Sequence, residues 1–343
     1  MKTRLTAIIA FACAVVMSTT VQAQAQSAAP VKVTPETYVR AETDRRFAGI
    51  IQGAGGINQF KFFRVPTPLD QQNIMRMNRD TIYSLAVVDT SKGATLTLPE
   101  FPTDRLVTII VFDNDHYSPG LIPATAGAHK IPSDTKYMAL GIRIQVFNPK
   151  DQAELDRLHK LQDQCIIKAD SADPMPPFKW ELPSLEAMTA KYEKEFVHYT
   201  SSAGMMGPRG TVNEKLRLIG TATMWGLNTE KDAIYLNYMG EHDPKLGYKA
   251  TYQVPENKAF WSITMYGNDG YMKTENCILN SSTVKLNPDG KTFTAYFGSK
   301  EQCGDVPNRL DVTEGWNFLM RVYRPGPSVL DGSYKLPKAE PVK

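Results

Sequence analysis

The densest group of titratable side chains in the first half of the sequence consists of Asp113, Asp115, His116 and Tyr117. It follows a continuous β-branched run at residues 106–112, which predicts a buried strand, and strand ends are where sandwich proteins build sites. Two carboxylates beside a histidine suit a divalent metal, or orient the histidine as a general base. Asp113, Asp115 and His116 are therefore candidate catalytic residues, and Tyr117 is a candidate substrate-binding residue. The alternative is a solvated turn in which the aspartates cap backbone groups.

The position of His116 leads to a specific prediction about where the strand ends. Side chains alternate along a strand, so a straight strand would point Asp113 and Asp115 to one face and His116 to the other. A shared site needs irregular backbone at this point. We therefore expect the strand to end before His116, and we expect its ring to lie in a pocket with Asp80 or Arg79.

A second group lies at the start of the first predicted strand and just before it, and consists of Asn78, Arg79, Asp80 and Tyr83. Arg79 would hold a substrate carboxylate through two parallel hydrogen bonds, and Tyr83 would donate or relay a proton. Asn78 and Arg79 are thus candidate substrate-binding residues, while Asp80 and Tyr83 are candidate acid or base groups. The alternative is an internal ion pair between Arg79 and Asp80 that ties the loop to the sheet.

A third group lies on or beside the predicted strands of the second half: Tyr266, Asp269, Tyr271, Arg321 and Tyr323. Exposed aromatic rings with an arginine would suit a sugar-like or aromatic ligand, whereas inward-facing rings would only pack. Tyr266 and Arg321 are the candidate substrate-binding residues of this group.

The apolar pattern predicts the elements that position these residues. Strands are expected at 82–89, 94–98, 106–112 and 137–147 in the first half, and at 233–239, 248–254, 259–266, 284–286, 293–297 and 316–323 in the second. Helices are expected at 34–48 and after Pro149. Two further helices form a middle segment, one capped by Ser184 and one opened by a capping box at 211–214. Short strands separated by turns indicate antiparallel sandwiches instead of a parallel sheet.

Several motifs resemble a known pair of bacterial families, domain of unknown function 1254 and domain of unknown function 1214. The blocks similar to the first family are Met77-Asn78-Arg79-Asp80-Thr81-Ile82-Tyr83-Ser84, Phe112-Asp113-Asn114-Asp115-His116-Tyr117 and Leu161-Gln162-Asp163. Those similar to the second are Phe260-Trp261-Ser262-Ile263-Thr264-Met265-Tyr266, Asp269-Gly270-Tyr271, Asn287-Pro288-Asp289-Gly290, Arg321-Val322-Tyr323-Arg324-Pro325 and Leu330-Asp331-Gly332.

The resemblance implies a mainly β protein with helical segments (α+β), built of two antiparallel jelly-roll-like β-sandwiches joined by a helical segment. We expect the first sandwich at 34–172, the helical segment at 173–230 and the second sandwich at 231–340. The resemblance implies no agreed reaction and no catalytic residues, so the candidates above rest on residue chemistry alone.

The first 25 residues are typical of a secretory signal. Lys2 and Arg4 precede an apolar run that is too short to cross a bilayer, and a small-x-small site ends at Ala23. We expect cleavage of residues 1–23, a mature protein that starts at Gln24 or Gln26, and a periplasmic or secreted location. No other segment is long and apolar enough to span a membrane.

Three cysteines follow the predicted signal, Cys165, Cys277 and Cys303. Cys277 and Cys303 share the second strand-rich region, and an oxidising compartment favours disulfides, so we predict a bridge between them. The alternative for each cysteine is a small buried apolar residue. No Cys-x-x-Cys pair supports a zinc ribbon or thiol redox chemistry.

Charge and motif content narrow the function. The chain has 39 basic and 36 acidic residues without a long basic run, so nucleic acid is not an expected partner. The sequence lacks the usual signatures of serine hydrolases, zincins and nucleotide-binding loops. We expect an exported hydrolase or lyase acting on a small molecule, with a non-catalytic ligand-binding or assembly module as the alternative. Metal, cofactor and oligomeric state stay undetermined.

Overall fold

The computed structural model describes residues 29–239 and 243–342, so the predicted signal at 1–23 lies outside them. The helices are α1 (Tyr38–Ala54), α2 (Gln152–Asp163), α3 (Leu182–Glu195), α4 (Glu214–Thr223), α5 (Lys300–Cys303) and α6 (Pro327–Leu330). The strands of the first half are β1 (Lys61–Phe63), β2 (Thr81–Asp89), β3 (Ala94–Leu98), β4 (Val107–Asp113), β5 (Gly120–Ile122), β6 (Gly127–Lys130), β7 (Tyr137–Gln145) and β8 (Ile166–Ala169). Those of the second half are β9 (Ala233–Tyr238), β10 (Tyr248–Gln253), β11 (Trp261–Tyr266), β12 (Ile278–Asn280), β13 (Thr292–Phe297), β14 (Arg309–Leu310), β15 (Asn317–Tyr323) and β16 (Glu340–Pro341).

The first sandwich packs a five-stranded sheet, β1-β2-β7-β4-β5, against a three-stranded sheet, β6-β3-β8. Its core joins residues such as Ile82, Ile109 and Leu140 of the large sheet to Leu96 of the small one. All seven residues of β4 are buried, as the continuous apolar run predicts. Both faces of the five-stranded sheet are therefore covered.

The second sandwich packs the sheet β12-β11-β15-β9 against the sheet β14-β13-β10-β16. Its core is aromatic: Trp261 stacks on Phe293 at 4.5 Å between ring centroids, and Tyr238 stacks on Phe318 at 4.6 Å. The described pairings are antiparallel except the short one between β13 and β14. Residues 284–286 form no strand, which corrects that expectation. The chain is mainly β with helices and forms sandwiches, which confirms the predicted fold class.

One face of β11 and β15 is polar and nonetheless buried. Ser262, Thr264 and Arg321 alternate with apolar residues along these strands, yet none of the three is more than 2% exposed. The pattern alone predicts a solvated face. The face is covered because the second sandwich docks it against the first half of the chain, and this junction holds the site described below.

The helices between the sandwiches form a small bundle. Helices α3 and α4 pack on the first turns of α1, where Tyr38 contacts Tyr192 at 5.0 Å between ring centroids. Later residues of α1, including Phe47, cover the outer face of the five-stranded sheet.

The predicted starts of two helices, α3 and α4, are corrected. Helix α3 begins before Ser184, at Leu182, and α4 is capped by Asn213, whose side chain accepts from the amide of Leu216.

The predicted bridge between Cys277 and Cys303 is wrong: both cysteines are free and buried, as is Cys165. The physical reason is that the two cysteines pack beside different sheets. Cys277 directly precedes β12, and its carbonyl accepts from the amide of Met265 in β11, whereas the thiol of Cys303, the last residue of α5, packs against Gly247, which directly precedes β10. A shared domain was therefore insufficient to bring the sulfurs within bonding reach.

No helix in 29–239 or 243–342 has the length and apolarity of a membrane span.

A candidate functional site between the two sandwiches

The floor of an interdomain cavity is the outer face of the five-stranded sheet. Tyr83 of β2 lies directly opposite Arg143 of β7 in the strand register, so their side chains share this face. In the next row, Gly141 lies opposite both Leu85 and Ile110. A Cβ at Gly141 would come within 3.0 Å of the Ile110 side chain, so the glycine allows Ile110 to pack closely against β7.

The roof of the cavity is the polar face of the second sandwich. Arg321 of β15 lies opposite Tyr235 of β9 in the register, and Leu319 is next on the same face. One wall is the segment 73–78, which runs from exposed Asn73 to buried Asn78. The other wall is 224–227, after α4. The enclosed space is about 860 Å³, counting its open mouth.

The cavity is mostly apolar with a few polar groups. Its apolar side chains are Phe63, Ile74, Met75, Met77, Leu85, Ile110, Phe112, Met224, Trp225, Leu227 and Leu319. Its polar side chains are Asn73, Arg76, Asn78, Tyr83, Arg143, Tyr235 and Arg321. The lining thus contains three arginines and no aspartate or glutamate among the described residues. A concave apolar space with a small number of convergent polar groups is the usual form of a small-molecule site.

Arg143 points into this space and is only partly bonded. One terminal nitrogen donates to the Gly226 carbonyl at 2.5 Å, and the other has a long contact of 3.5 Å to the Tyr235 hydroxyl. Its guanidinium carbon lies 5.6 Å from the ring centroid of Tyr83. Tyr83 itself forms no side-chain hydrogen bond with any residue of the described part of the chain. Arg143 and Tyr83 therefore hold unused donors beside each other.

Arg321 and Arg76 hold the junction together. Arg321 donates to Tyr266 Oη at 2.7 Å, to the Arg76 carbonyl at 2.7 Å and to Thr264 Oγ1 at 2.9 Å. Arg76 donates to Asn317 Oδ1 at 2.7 Å, while its buried Nε has no partner in the described residues. Burial lowers the pKa of Arg76 to about 10. Both guanidinium groups stay cationic at neutral pH.

Asn78 and Asp80 join the segment 73–80 to the second sandwich. Asn78 Nδ2 donates to Tyr323 Oη at 2.6 Å, and Asn78 lines the cavity. Asp80 accepts from Ser262 Oγ at 2.5 Å and from Asn280 Nδ2 at 3.3 Å. Burial raises the pKa of Asp80, and no ionic partner lies in contact with it in the described residues. Its carboxylate is not part of the cavity lining.

Arg79 and Tyr266 are also junction residues outside the cavity. Arg79 pairs with Glu275 at 2.8 Å, so the ion pair between Arg79 and Asp80 that the sequence left open as an alternative is not formed. Tyr266 donates to the Met77 carbonyl at 2.8 Å while it accepts from Arg321. The hydrogen bonds of both side chains connect segment 73–80 with the second sandwich.

Asp113 and Asp115 form a capped turn, the alternative that the sequence left open. Asp113 Oδ1 accepts from the amides of Asp115 at 2.8 Å and Tyr117 at 2.9 Å. The remaining oxygen of Asp113 contacts Arg209 at 2.7 Å, and Asp115 contacts Arg209 at 2.9 Å and Arg40 at 2.5 Å. Among the described residues, no three histidine, cysteine or acidic side chains are arranged to hold a metal.

The strand does end before His116, since β4 stops at Asp113 and His116 has a left-handed φ of 61°. The expectation that its ring shares a pocket with Asp80 or Arg79 is wrong. His116 Nε2 accepts from the Gly226 amide at 2.9 Å, and Nδ1 contacts Thr221 Oγ1 at 2.9 Å. Nδ1 must therefore carry the proton, because a backbone amide can only donate.

His116 is a support for the cavity wall. Its ring stacks on Trp225 at 5.3 Å between centroids and is fully buried. Burial lowers its pKa to about 3, and the Arg217 cation acts in the same direction. Both nitrogens are engaged and the ring is neutral. Tyr117 is further away: its hydroxyl donates to Glu214 at 2.8 Å, and its ring lies between Arg209 and Arg217.

Of the ten candidate site residues, the structure brings Asn78, Tyr83 and Arg321 to the cavity and leaves the other seven outside its lining. Sequence reasoning missed Arg143 and Arg76. Arg143 had a detectable signal, because it is a charged residue in the middle of the apolar run 137–147. Arg76 had no such signal, since it lies in a loop where arginines are ordinarily solvated.

Comparison with known families confirms both resemblances. Residues 57–118 match the family described as a protein of unknown function, DUF1254, and residues 226–327 match the one described as a protein of unknown function, DUF1214. No curated protein matches the sequence.

Two solved structures share the fold. The VPA0106 protein of Vibrio parahaemolyticus superposes with a TM-score of 0.67 at 16% identity, covering 90% of this chain and 98% of its own. A protein from Burkholderia cenocepacia superposes with a TM-score of 0.51 at 12% identity, covering 85% of each chain. At such identities the likeness concerns the fold alone.

Proposed function

We propose that this chain, which carries a DUF1254 region followed by a DUF1214 region, binds a small, largely apolar molecule in the cavity between its two sandwiches. The observation that carries the proposal is the cavity itself: its floor comes from the first sandwich and its roof from the second. Sites of this kind occur preferentially at domain interfaces. Binding there uses residues of both domains, which gives the presence of the two regions in one chain a chemical purpose without requiring catalysis.

The lining of the cavity supports this function. Its apolar side chains outnumber its polar ones, as is usual in small-molecule sites. Aromatic side chains dominate one end, where Phe112 contacts Trp225 at 5.0 Å between ring centroids in an edge-to-face arrangement. Such rings supply large apolar contact area for a flat ligand.

The proposal is tested with 2-naphthamide, a neutral aromatic probe, by isothermal titration calorimetry. Ile74 is a half-buried wall residue, so Ile74→Trp should fill the cavity and weaken binding at least about tenfold. Ile167→Trp is the matched control, because Ile167 is half-buried against the core of the first sandwich, away from the cavity. Equal binding by wild type and Ile74→Trp would place the probe elsewhere and contradict the proposal, as would no binding by wild type.

An enzymatic role, hydrolase or lyase, is the second candidate. One observation favours it: the Tyr83 hydroxyl is unbonded within the described residues and lies beside Arg143. A phenol that holds no hydrogen bond of its own is free to exchange a proton with a bound substrate, which makes such a tyrosine suited to acid or base catalysis. Among the acid and base candidates from the sequence, only Tyr83 lines the cavity.

Hydrolysis of 4-nitrophenyl acetate tests this second function. Tyr83→Phe should lower kcat/KM by about 100-fold or more if Tyr83 transfers a proton, with 2-naphthamide binding retained. Tyr296→Phe is the control, because Tyr296 is half-buried on β13 of the second sandwich and away from the cavity. Equal rates in wild type and Tyr83→Phe would leave ligand binding as the function.

We also propose export, with a periplasmic or secreted location. Support comes from the basic start, the short apolar run and the small-x-small site at the N-terminus. Mass spectrometry of the protein from the soluble fraction of a native host should find Gln24 or Gln26 as the first residue. Recovery of an intact Met1 terminus would contradict cleavage.

A further inference from the structure

We infer that the molecule bound in this cavity is an aromatic carboxylate, and that Arg143 and Tyr83 bind its carboxylate group. The inference rests on the proposed function, because it specifies the ligand of the same cavity. It goes further by naming the charge of the ligand, the class of its apolar part and the two side chains that recognise it.

The lining of the cavity is positively charged. Arg76, Arg143 and Arg321 all line the cavity, and none of them forms an ion pair with an acidic side chain in the described residues. The buried acid of the junction, Asp80, is bonded to Ser262 and Asn280 instead. Buried cations without a counter-ion are costly, so they are normally paired. An anionic ligand would supply the missing negative charge.

The arginines that line the cavity differ in how many N–H donors the protein leaves unused. An arginine has five N–H donors. Arg321 spends its terminal nitrogens on Thr264, Tyr266 and the carbonyl of Arg76. Arg143 spends one donor on the Gly226 carbonyl and has only a contact of 3.5 Å to the Tyr235 hydroxyl for another. Arg76 also keeps an unbonded Nε beside its bond to Asn317, but Arg143 differs from it in lying beside the unbonded Tyr83 hydroxyl, so Arg143 is the arginine assigned to the ligand.

Tyr83 lies beside Arg143 and adds a further hydrogen-bond donor. Tyr83 is its cross-strand partner on the same face, and the Tyr83 hydroxyl has no hydrogen bond within the described residues. A planar guanidinium matches the two oxygens of a carboxylate, and an adjacent phenol adds a third donor. Because both residues are on paired strands, the rigid sheet holds these donors in place without a ligand.

The apolar part of the ligand follows from the rest of the lining. The floor beside Arg143 is apolar, because Leu85, Ile110 and Phe112 line the cavity there around Gly141. Trp225 closes this end and is fixed by its stacking on His116. A flat ring held between these side chains and Trp225 would contact them while its carboxylate reaches Arg143. The geometry favours an aromatic acid for this reason.

The experiment compares 2-naphthoate with 2-naphthamide, a pair that differs in charge and hardly in shape, by titration calorimetry at pH 7. Wild type should bind the carboxylate at least about tenfold more tightly, because hydrogen bonds to a charged group are stronger. Arg143→Gln should abolish this preference by weakening 2-naphthoate at least about tenfold and leaving 2-naphthamide nearly unchanged. Arg157→Gln is the matched control, since Arg157 is exposed on α2.

The outcomes separate the inference from the proposed function. Equal affinity of the two probes in wild type would overturn the carboxylate inference and leave the cavity function standing. Binding of neither probe would overturn both. If Arg143→Gln fails to fold, Tyr83→Phe is used in its place, and it should weaken 2-naphthoate more than 2-naphthamide. A preference for 2-naphthoate that survives both substitutions would also overturn the assignment to Arg143 and Tyr83.

Discussion

Asn78 and Tyr323 are 245 positions apart in the chain, and the Asn78 side-chain amide donates to the Tyr323 hydroxyl at 2.6 Å. One belongs to a motif of the DUF1254 region and the other to a motif of the DUF1214 region. The two motifs therefore meet at the junction of the two sandwiches. Their side chains hold the domains in the arrangement that encloses the cavity.

Tyr323→Phe should reduce the free energy of unfolding by about 1–3 kcal/mol, because it leaves the buried Asn78 amide without its acceptor. In an Asn78→Ala background the same substitution should cost much less, since the donor is already absent. Urea unfolding of the four proteins of this cycle measures the coupling.

Tyr296→Phe is the control for this cycle. It should change stability by less than about 0.5 kcal/mol, because the half-buried Tyr296 side chain has no hydrogen bond with the described residues 29–239 and 243–342. Equal costs of Tyr323→Phe in both backgrounds would show that the hydrogen bond contributes nothing to the junction.

His116 should make the protein less stable in mild acid. Its pKa falls from about 6.5 in the unfolded chain to about 3 in the fold because the ring is buried. The unfolded state therefore binds the proton first as the pH falls below about 6.5, and stability is lost from that point. Between pH 7 and pH 5 the loss from this group is about 2 kcal/mol.

His116→Gln removes this titration and keeps a polar side chain. The variant is expected to be less stable at pH 7, but its free energy of unfolding should decline less steeply than that of wild type from pH 7 to pH 5. Chemical denaturation at several pH values gives the two curves. Parallel curves would mean that His116 is not held neutral by the fold.

Glu154 is expected to be a large stabilising residue of the first sandwich. Its carboxylate contacts Arg105 at 2.7 Å and accepts from the amides of Phe147 at 2.9 Å and Asn148 at 2.8 Å, and both charged side chains are nearly buried. Glu154→Gln leaves the Arg105 cation without its buried partner, so we expect a loss of about 3 kcal/mol or more. Thermal or urea unfolding measures it.

The matched control is Asp173→Asn, which breaks the exposed pair of Asp173 with Lys136 at 2.8 Å. Exposed ion pairs contribute little, so this variant should lose less than about 1 kcal/mol. Similar losses in the two variants would contradict the distinction between a buried and an exposed pair.

The three cysteines should behave as buried free thiols. Burial raises the pKa of Cys277 and Cys303, and it raises that of Cys165 to about 12. Alkylation without a reductant should therefore leave Cys165, Cys277 and Cys303 unmodified in the folded protein and label all three after unfolding in denaturant. Peptide mass spectrometry distinguishes the sites. A pair that is labelled only after reduction would instead reveal a disulfide.

The sequence by itself determined most of the local structure and the domain families. The uniform apolar run at 106–112 and the alternation at 94–98 are properties of neighbouring residues, so β4 and β3 are found where the pattern predicts them. The turn at Asp113 was also within reach, because aspartates cap amides two to four residues away. These features depend on contacts that are close in the chain.

Only the tertiary structure decided which polar residues form a site. Arg143 and Arg321 come from different sandwiches, and they line one cavity because a polar face of β15 is buried by domain docking. Hydrophobic patterning cannot distinguish such a face from a solvated one, since the residues are the same and only the desolvating partner differs. His116 shows the same limit: its partner Gly226 is 110 residues away, so a promising catalytic histidine became a neutral support for the cavity wall.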